Sequence, residues 1–271
     1  MDAYQELTLR NTDYVAAALQ ERIRRSRLLI AGCGIGSSLA EAAVRLGFTQ
    51  FILADGDTVS AHNLNRQSYV AADIGTPKVE ALARRLLAIN PQASIATHNA
   101  YLDQSNIADL VAQADIIFDT IDFLDLSGIV ALHDEALRQQ KHLITALAIG
   151  WGGGCIYFPP GSAVSFRDLF GLPKLGAVDH AGYTETFAVV IEKLKGKIAP
   201  EVVAAVAKAL TIMEDGTPCP ASQVSPGAFT VGALAASLLV KILAGQTVVP
   251  APRLLIADMN MALNEGGIDL L

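Results

Sequence analysis

The segment Leu53-Ala54-Asp55-Gly56-Asp57-Thr58-Val59-Ser60-Ala61-His62-Asn63-Leu64-Asn65-Arg66-Gln67, followed by Pro77-Lys78, decides how the rest of the chain is read. It sets two acids at the end of an apolar run, then an Asn, an Arg, a Gln and a Lys close behind. Upstream, the apolar run Arg27–Ala31 enters Gly32-Cys33-Gly34-Ile35-Gly36-Ser37-Ser38 and then an Ala-rich helical stretch. A strand that feeds a glycine-rich turn and a helix can present backbone N–H groups to a pyrophosphate. Asp55 stands about 20 residues beyond that turn, at a strand end, where a ribose-binding acid belongs. The turn reads Gly32-x-Gly34-x-Gly36, with Ser37 in the place of a third glycine. Alone, it is equally a tight turn that needs positive φ, and it leaves NAD and ATP both open.

Working outward, strands and helices alternate. Val15–Arg25 is expected to be an amphipathic helix, Arg27–Ala31 a strand, and Ser38–Leu46 a helix closed by Gly47. Phe51–Ala54 reads as the second strand, and Thr76-Pro77 opens a helix to Ile89 with Thr76 as N-cap. Ala93–His98 and Asp115–Asp119 are further strands, with helices at Asn106–Gln113 and Leu124–Gln140. His142–Ile149 and Cys155–Phe158 are strands joined by Gly150-Trp151-Gly152-Gly153-Gly154. This alternation predicts an α/β, Rossmann-like, doubly wound and mainly parallel sheet with a C-terminal mixed or antiparallel extension. Ligands of such sheets sit beyond the carboxyl ends of the strands, where Gly32–Ser38, Asp55–Asp57 and Asp119–Asp122 all fall.

After Phe158 the texture changes. Pro159-Pro160-Gly161 begins a turn-rich stretch with helical patches at Thr186–Lys195 and Pro200–Leu210, then Gly216-Thr217-Pro218-Cys219-Pro220. Gly227–Gly245 is apolar and helical, and Arg253–Asp258 is a last strand. The expected organisation is one domain over 1–271: an arm (1–26), a nucleotide-binding core (27–158), a crossover or insertion (159–225) and a closing helix and strand (226–271).

The chain has 271 residues, enough for a substantial core. Its net charge of −7 argues against a nucleic-acid or membrane-surface partner. Three cysteines, Cys33, Cys155 and Cys219, are too few and too scattered for a disulfide framework or a zinc site. The N-terminus lacks a signal pattern and no apolar run reads as membrane-spanning, so a cytoplasmic protein is expected.

The second half of the opening segment separates hydride transfer from phosphate chemistry. A dehydrogenase leaves Arg66, Gln67 and Lys78 behind the ribose acid without a purpose. An enzyme that cleaves ATP between the α- and β-phosphates needs cations there, usually with Mg²⁺. Asp122, at the end of the Ile116–Phe118 strand, could supply a carboxylate to that metal. The plain alternatives are surface ion pairs for Arg66 and Lys78, and helix capping for Asp119 and Asp122.

These residues together resemble the ThiF/MoeB/HesA group, bacterial relatives of the ubiquitin-activating enzymes. The resemblance runs from Arg10 to about Asp258. It rests on Asp55-Gly56-Asp57-Thr58-Val59, Asn63-Leu64-Asn65-Arg66-Gln67, Gly75-Thr76-Pro77-Lys78 and Asp119-Thr120-Ile121-Asp122. It implies a homodimeric adenylyltransferase that uses Mg-ATP to activate a carboxylate, commonly the C-terminal glycine of a ubiquitin-like sulfur carrier, or a peptide. By position it implies Asp55 at the ribose, Asn63, Arg66 and Lys78 at the phosphates, and Asp122 at the metal. Gly32, Gly34, Gly36, Asp57 and Gln67 complete the nucleotide-binding set. Arg10 matches an arginine that reaches the partner subunit's ATP, as a lone arginine before the first helix is free to do.

Three departures stand out. The glycine turn is one residue short, Phe123 replaces the Asn that usually follows the metal acid, and paired C-x-x-C motifs are absent, so no zinc is expected. A divergent, non-catalytic partner subunit is the alternative these departures allow. Cys219, between two prolines, is a candidate acyl- or sulfur-accepting thiol, with an inert loop cysteine as the alternative. Cys33 and Cys155 read as packed, and His133, His142 and His180 lack ligand spacing. The Trp151 glycine stretch either admits an extended glycine-ended peptide or is a plain hairpin.

Overall fold

The computed structural model describes residues 2–178, 192–193, 196–214 and 222–265. Chain order gives α1 (Ala3–Thr8), α2 (Ala17–Arg25), β1 (Arg27–Ala31), α3 (Gly36–Leu46), β2 (Gln50–Ala54) and α4 (Lys78–Ile89). Then come β3 (Ser94–His98), α5 (Ile107–Gln113), β4 (Ile116–Asp119), α6 (Leu126–Arg138), β5 (His142–Ile149) and β6 (Gly152–Phe158). The described remainder holds α7 (Phe166–Phe170), α8 (Pro200–Glu214), α9 (Ser225–Leu243), β7 (Leu254–Asp258) and α10 (Met259–Glu265).

The strands form one seven-stranded sheet in the order β3-β2-β1-β4-β5-β6-β7. Pairings from β3 through β5 are parallel, while β5–β6 and β6–β7 are antiparallel. The doubly wound sheet and its antiparallel extension are thus as expected. Successive side chains leave opposite faces, so Leu28 and Ile30 enter one core with α3, α4 and α9, while Leu29 and Ala31 enter the other. Burial on both faces is why the central strands are continuously apolar.

Two local expectations are corrected. Thr76 is not the N-cap of α4; Pro77 takes that position in extended conformation, and the helix begins at Lys78. The cause is a short antiparallel pairing of the chain after β2 with the chain before α4. Val59 N–H donates to Thr76 O (2.8 Å) and Lys78 N–H to Asp57 O (2.9 Å), which keeps the backbone extended through Pro77. Also, Gly152–Gly154 are not a loop but the first half of β6, paired with Ile149–Leu147 and with Asp258–Ile256. The turn is Gly150-Trp151 alone, so the hairpin alternative holds. A Cβ at Gly153 would lie 2.7 Å from Val231 N, so glycine there lets α9 lie directly on the sheet.

That helix, α9, is long and apolar enough to cross a membrane by length and composition, contrary to the sequence reading, and half of it is buried in the fold. Its small residues explain the close fit: Gly232 stands against the Ser38 carbonyl of α3, where a Cβ would approach to 2.9 Å. The described part of 159–225 packs on the same body. Phe166, Phe170, Leu172 and Val178 join Leu126, Ile129 and Val130 of α6, and Ile198 and Val202 join Ile149 of β5. Cys219 and the patch 186–191 lie outside the described residues, as does His180.

Gly153→Val should therefore push α9 off β6 and cost about 1–3 kcal/mol of stability, the range for overpacked cores. Urea denaturation measures it, and an unchanged midpoint would contradict this account of the glycine run.

Candidate nucleotide site

The chain reverses its direction of travel across the sheet between β1 and β4, and ligands of doubly wound sheets bind at such a switch point. Three turns meet there. After β1, Gly32 adopts φ +90° and passes so close to Thr120 that a Cβ would collide with its carbonyl. The Thr120 hydroxyl returns a hydrogen bond of 2.5 Å to Gly32 O, fastening the turn after β4 to the turn after β1. A Cβ at Gly36 would lie 2.5 Å from Thr120 Oγ1 and 2.7 Å from Ile30 Cγ2. Gly36, not position 37, is therefore the glycine that lets helix and strand pack closely. Ser37 instead donates through Oγ to Gly34 O (2.6 Å) and accepts from Ser68 N–H (2.9 Å).

Asp55 joins the first turn to the second. Its Oδ2 accepts from Cys33 N–H at 2.6 Å and its Oδ1 from Asp57 N–H at 2.8 Å. Burial raises its pKa, against the opposing pull of Lys78 and these two amides. Lys78, only 7 % exposed, directs Nζ to Asp57 Oδ2 at 2.6 Å. The Tyr101 hydroxyl donates to the other oxygen, Oδ1, at 2.5 Å. Burial alone would raise the Asp57 carboxyl; the hydrogen bonds from Lys78 and Tyr101 outweigh it and hold it below the ordinary value. Accepting by Asp57 in turn pushes the Tyr101 phenol up to about 12, so it stays a donor at neutral pH.

Arg66 and Asp122 form a second charged group. Arg66 donates to Gln223 Oε1 (2.5 Å), His62 O (2.9 Å) and Asn65 Oδ1 (2.8 Å). Burial lowers its pKa, and the nearby Asp122 carboxylate favours the charged form. Asp122 itself is exposed and accepts from Leu124 N–H at 3.0 Å. Asn63 is buried and caps its own turn by accepting from Ser60 N–H. Gln67 is buried beside Gly34, and its Oε1 has no hydrogen-bond partner among the described residues. Arg10 does not precede the first helix: α1 runs ahead of it, and Arg10 is exposed on the following 3₁₀ turn Leu9–Asn11, with no hydrogen bond or ion pair among the described residues.

The capping alternative for Asp119 is not what the structure shows: Asp125 caps α6 through Gly128 N–H. Asp119 is buried with Thr145, whose hydroxyl donates to it (3.0 Å), and with His133, whose Nε2 lies 3.0 Å away. His133 thus has a structural role that its sequence spacing did not disclose. Phe123 packs against the apolar cluster of α6 and α7. Cys33 and Cys155 are buried free thiols; burial pushes Cys33 well up and Cys155 to about 12. Tyr101, Gln223 and His133 are the site-region residues that the sequence reading missed.

The residues present suit a nucleoside triphosphate. A glycine turn heads the eleven-residue helix α3, Asp55 stands at its mouth, and the Gln67 side chain packs against Gly34 with its amide nitrogen toward the turn. Among the described residues no group of three or more His, Cys, Asp or Glu side chains gathers. Mg²⁺ needs none, since one or two carboxylates with phosphate oxygens and water suffice.

Comparison with known proteins agrees. The ThiF family model matches residues 8–265, so the chain belongs to the ThiF family. It is 37% identical over 120 residues to the molybdopterin-synthase adenylyltransferase of Escherichia coli strain K12, covering 44% of this chain and 47% of that protein. The Haemophilus influenzae protein of the same name is 31% identical over 168 residues, 61% of this chain and 67% of its own length. The E. coli sulfur carrier protein ThiS adenylyltransferase is 30% identical over 150 residues, 55% and 59% respectively. The matches thus span between about half and two thirds of these relatives. The crystal structure of E. coli MccB with ATP superposes with a TM-score of 0.66 at 19% identity, over 91% of this chain and 65% of that one. That likeness supports the fold.

The low Asp57 pKa has a stability consequence. An acid held low in the native state stabilises it fully above its unfolded value, 3.8, and loses that contribution as pH falls through the native value. Asp55, held high, acts in the opposite sense. Asp57→Asn should therefore flatten the fall in melting temperature below pH 3.8. An acid limb identical to the wild type's would contradict the assignment.

Proposed function

We propose that this member of the ThiF family is an ATP-dependent adenylyltransferase that activates a carboxylate as its acyl-adenylate and releases pyrophosphate. Two cations support the reading: Lys78, whose charge acts on Asp55 and whose ammonium meets Asp57, and Arg66, whose charged form the Asp122 carboxylate favours. Hydride transfer gives two such cations no task. Adenylation does, because negative charge grows on the leaving pyrophosphate as the bond between the α- and β-phosphates breaks.

In this reading Asp55 holds the ribose hydroxyls, and the turn 32–36 at the head of α3 receives the phosphates. Lys78, Arg66, Asn63 and Gln67 line the phosphate path, and Asp122 supplies the carboxylate for Mg²⁺. A carboxylate oxygen of the acceptor attacks the α-phosphorus, and pyrophosphate leaves with the bonding pair. The protein forms no covalent bond in this step; it orients the reactants and neutralises charge. The acceptor is a ubiquitin-like carrier or a peptide C-terminus; relatives named as adenylyltransferases of molybdopterin synthase and of the sulfur carrier protein ThiS support a protein acceptor. Arg10, exposed and unpaired, is free to reach the phosphates of a second subunit in a homodimer. The expected setting is the cytoplasm, where ATP is supplied. A thiol role for Cys219 belongs to the same proposal.

ATP–pyrophosphate exchange tests it. Wild-type protein with Mg²⁺ and a carrier ending in Gly-Gly, or a peptide acceptor, should catalyse exchange. Asp122→Ala should lower it by about 100-fold or more, with the melting temperature unchanged because Asp122 is exposed. Measurable ATP binding without exchange for any acceptor would favour the non-catalytic partner instead. Exchange that survives in Asp122→Ala would remove the metal assignment.

A further inference from the structure

Among the described residues Tyr101 is the aromatic side chain hydrogen-bonded to the loop that carries Asp55, the acid proposed for the ribose. Its ring lies over Gly56, between Asp55 and Asp57: a Cβ on Gly56 would meet ring atoms at 2.8–2.9 Å. Its hydroxyl is tied to Asp57 Oδ1 at 2.5 Å, and its backbone carbonyl accepts from Asn106 Nδ2 at 2.9 Å. The ring is therefore anchored below and at its tip, yet the residue is 64 % exposed. It forms part of the wall of a cleft of about 810 Å³ bounded by the start of α5, the start of α6 and the segment 176–178.

An exposed tyrosine normally turns freely between rotamers; this one is held in one place by two contacts from a glycine and an acid. Gly56 has ordinary negative φ, so the turn does not require glycine for its backbone conformation. What excludes a side chain at Gly56 is the ring. We propose that Tyr101 is the platform on which the nucleobase of the bound nucleotide stacks, one residue away from the carboxylate that takes its ribose. The assignment rests on the ATP reading above and adds to it the residue that holds the base. Aromatic rings stack on any base, so the platform contributes affinity for a nucleoside without itself choosing adenine. Its anchoring keeps the ordering cost of stacking low.

Calorimetric titration of wild type, Tyr101→Phe and Tyr101→Ala with Mg-ATP and with inorganic tripolyphosphate tests this. Tyr101→Ala should weaken ATP about ten-fold and leave tripolyphosphate unchanged, since Lys78 keeps its own bond to Asp57 while the base loses its ring. Tyr101→Phe keeps the ring and should stay within about two-fold of wild type for both ligands. Equal ATP affinity in wild type and Tyr101→Ala would overturn the platform. So would a parallel loss of ATP and tripolyphosphate binding in Tyr101→Phe, which would make the hydroxyl a positioning group for Asp57 and Lys78. A wild type that binds tripolyphosphate but not ATP, or neither, would instead overturn the ATP reading. Because Tyr101 is exposed, its truncation removes no core packing, and a melting curve of each variant verifies this.

Discussion

The carboxylate of Asp55 is the tie on which the nucleotide end of this sheet depends. Its bond from the Cys33 amide ties the turn after β1 to the turn after β2, beside the backbone bond from Gly32 N–H to Ala54 O. Its bond from the Asp57 amide shapes the second turn itself. Both bonds to the carboxylate are charge-assisted hydrogen bonds, stronger than neutral ones. The cost is a carboxylate withdrawn from water, visible in its raised pKa. Lys78 reduces that cost from a distance, and it does so without pairing directly with Asp55. One acid thus arranges the backbone while its neighbour Asp57 takes the cation. Two oxygens on Asp55 still retain lone pairs beyond those the amides use, so the same group can accept from hydroxyls of a sugar.

The shortened glycine turn is accommodated by a shift of duties along the chain. Close packing of helix on strand usually falls to the last glycine of the longer motif. Here Gly36 meets Ile30 and Thr120, and the freed position 37 becomes a serine that ties Gly34 to Ser68. The turn after β1 is thereby fastened on three sides: to Thr120, to Asp55 and to the segment that bears Arg66. Likewise Phe123, an apolar residue where a polar one was expected beside Asp122, has a partner in the cluster under α7. Both positions have partners in this fold: Ser37 by hydrogen bonds to Gly34 and Ser68, and Phe123 by contact with the apolar cluster of α6 and α7.

The fold was legible because the central strands are buried on both faces and read as unbroken apolar runs between turn residues. Asp55, Lys78 and Arg66 were legible because their spacing follows from a strand end and a helix start. Contacts made across the sheet were not. Tyr101 reaches Asp57, Arg66 reaches Gln223 and His133 reaches Asp119 from separate elements, and no local periodicity encodes such pairs. Thr76 was misjudged for a related reason: its capping propensity lost to the extended pairing of Val59 with Thr76 and Lys78 with Asp57. Gly152–Gly154 misled because glycine usually signals a turn. In β6 it signals instead the close approach of α9 and β7.

Lys78 shows how this frame prepares for an anion. A lysine carries four rotatable bonds, and fixing them on binding costs about as much as a weak contact returns. The extended run through Pro77 starts α4 at Lys78, and Asp57 then holds its ammonium in place before any ligand arrives. The restraint is not a trap, because the Asp57 side chain keeps 45% of its exposure and so retains water. A partner that is half solvated binds a cation less firmly than a buried one would. Phosphate oxygens entering the turn can therefore share the ammonium with Asp57 rather than having to displace it. The other carboxylate oxygen of Asp57 accepts from the Tyr101 hydroxyl. The arrangement orders the cation in advance and keeps its charge only partly spent.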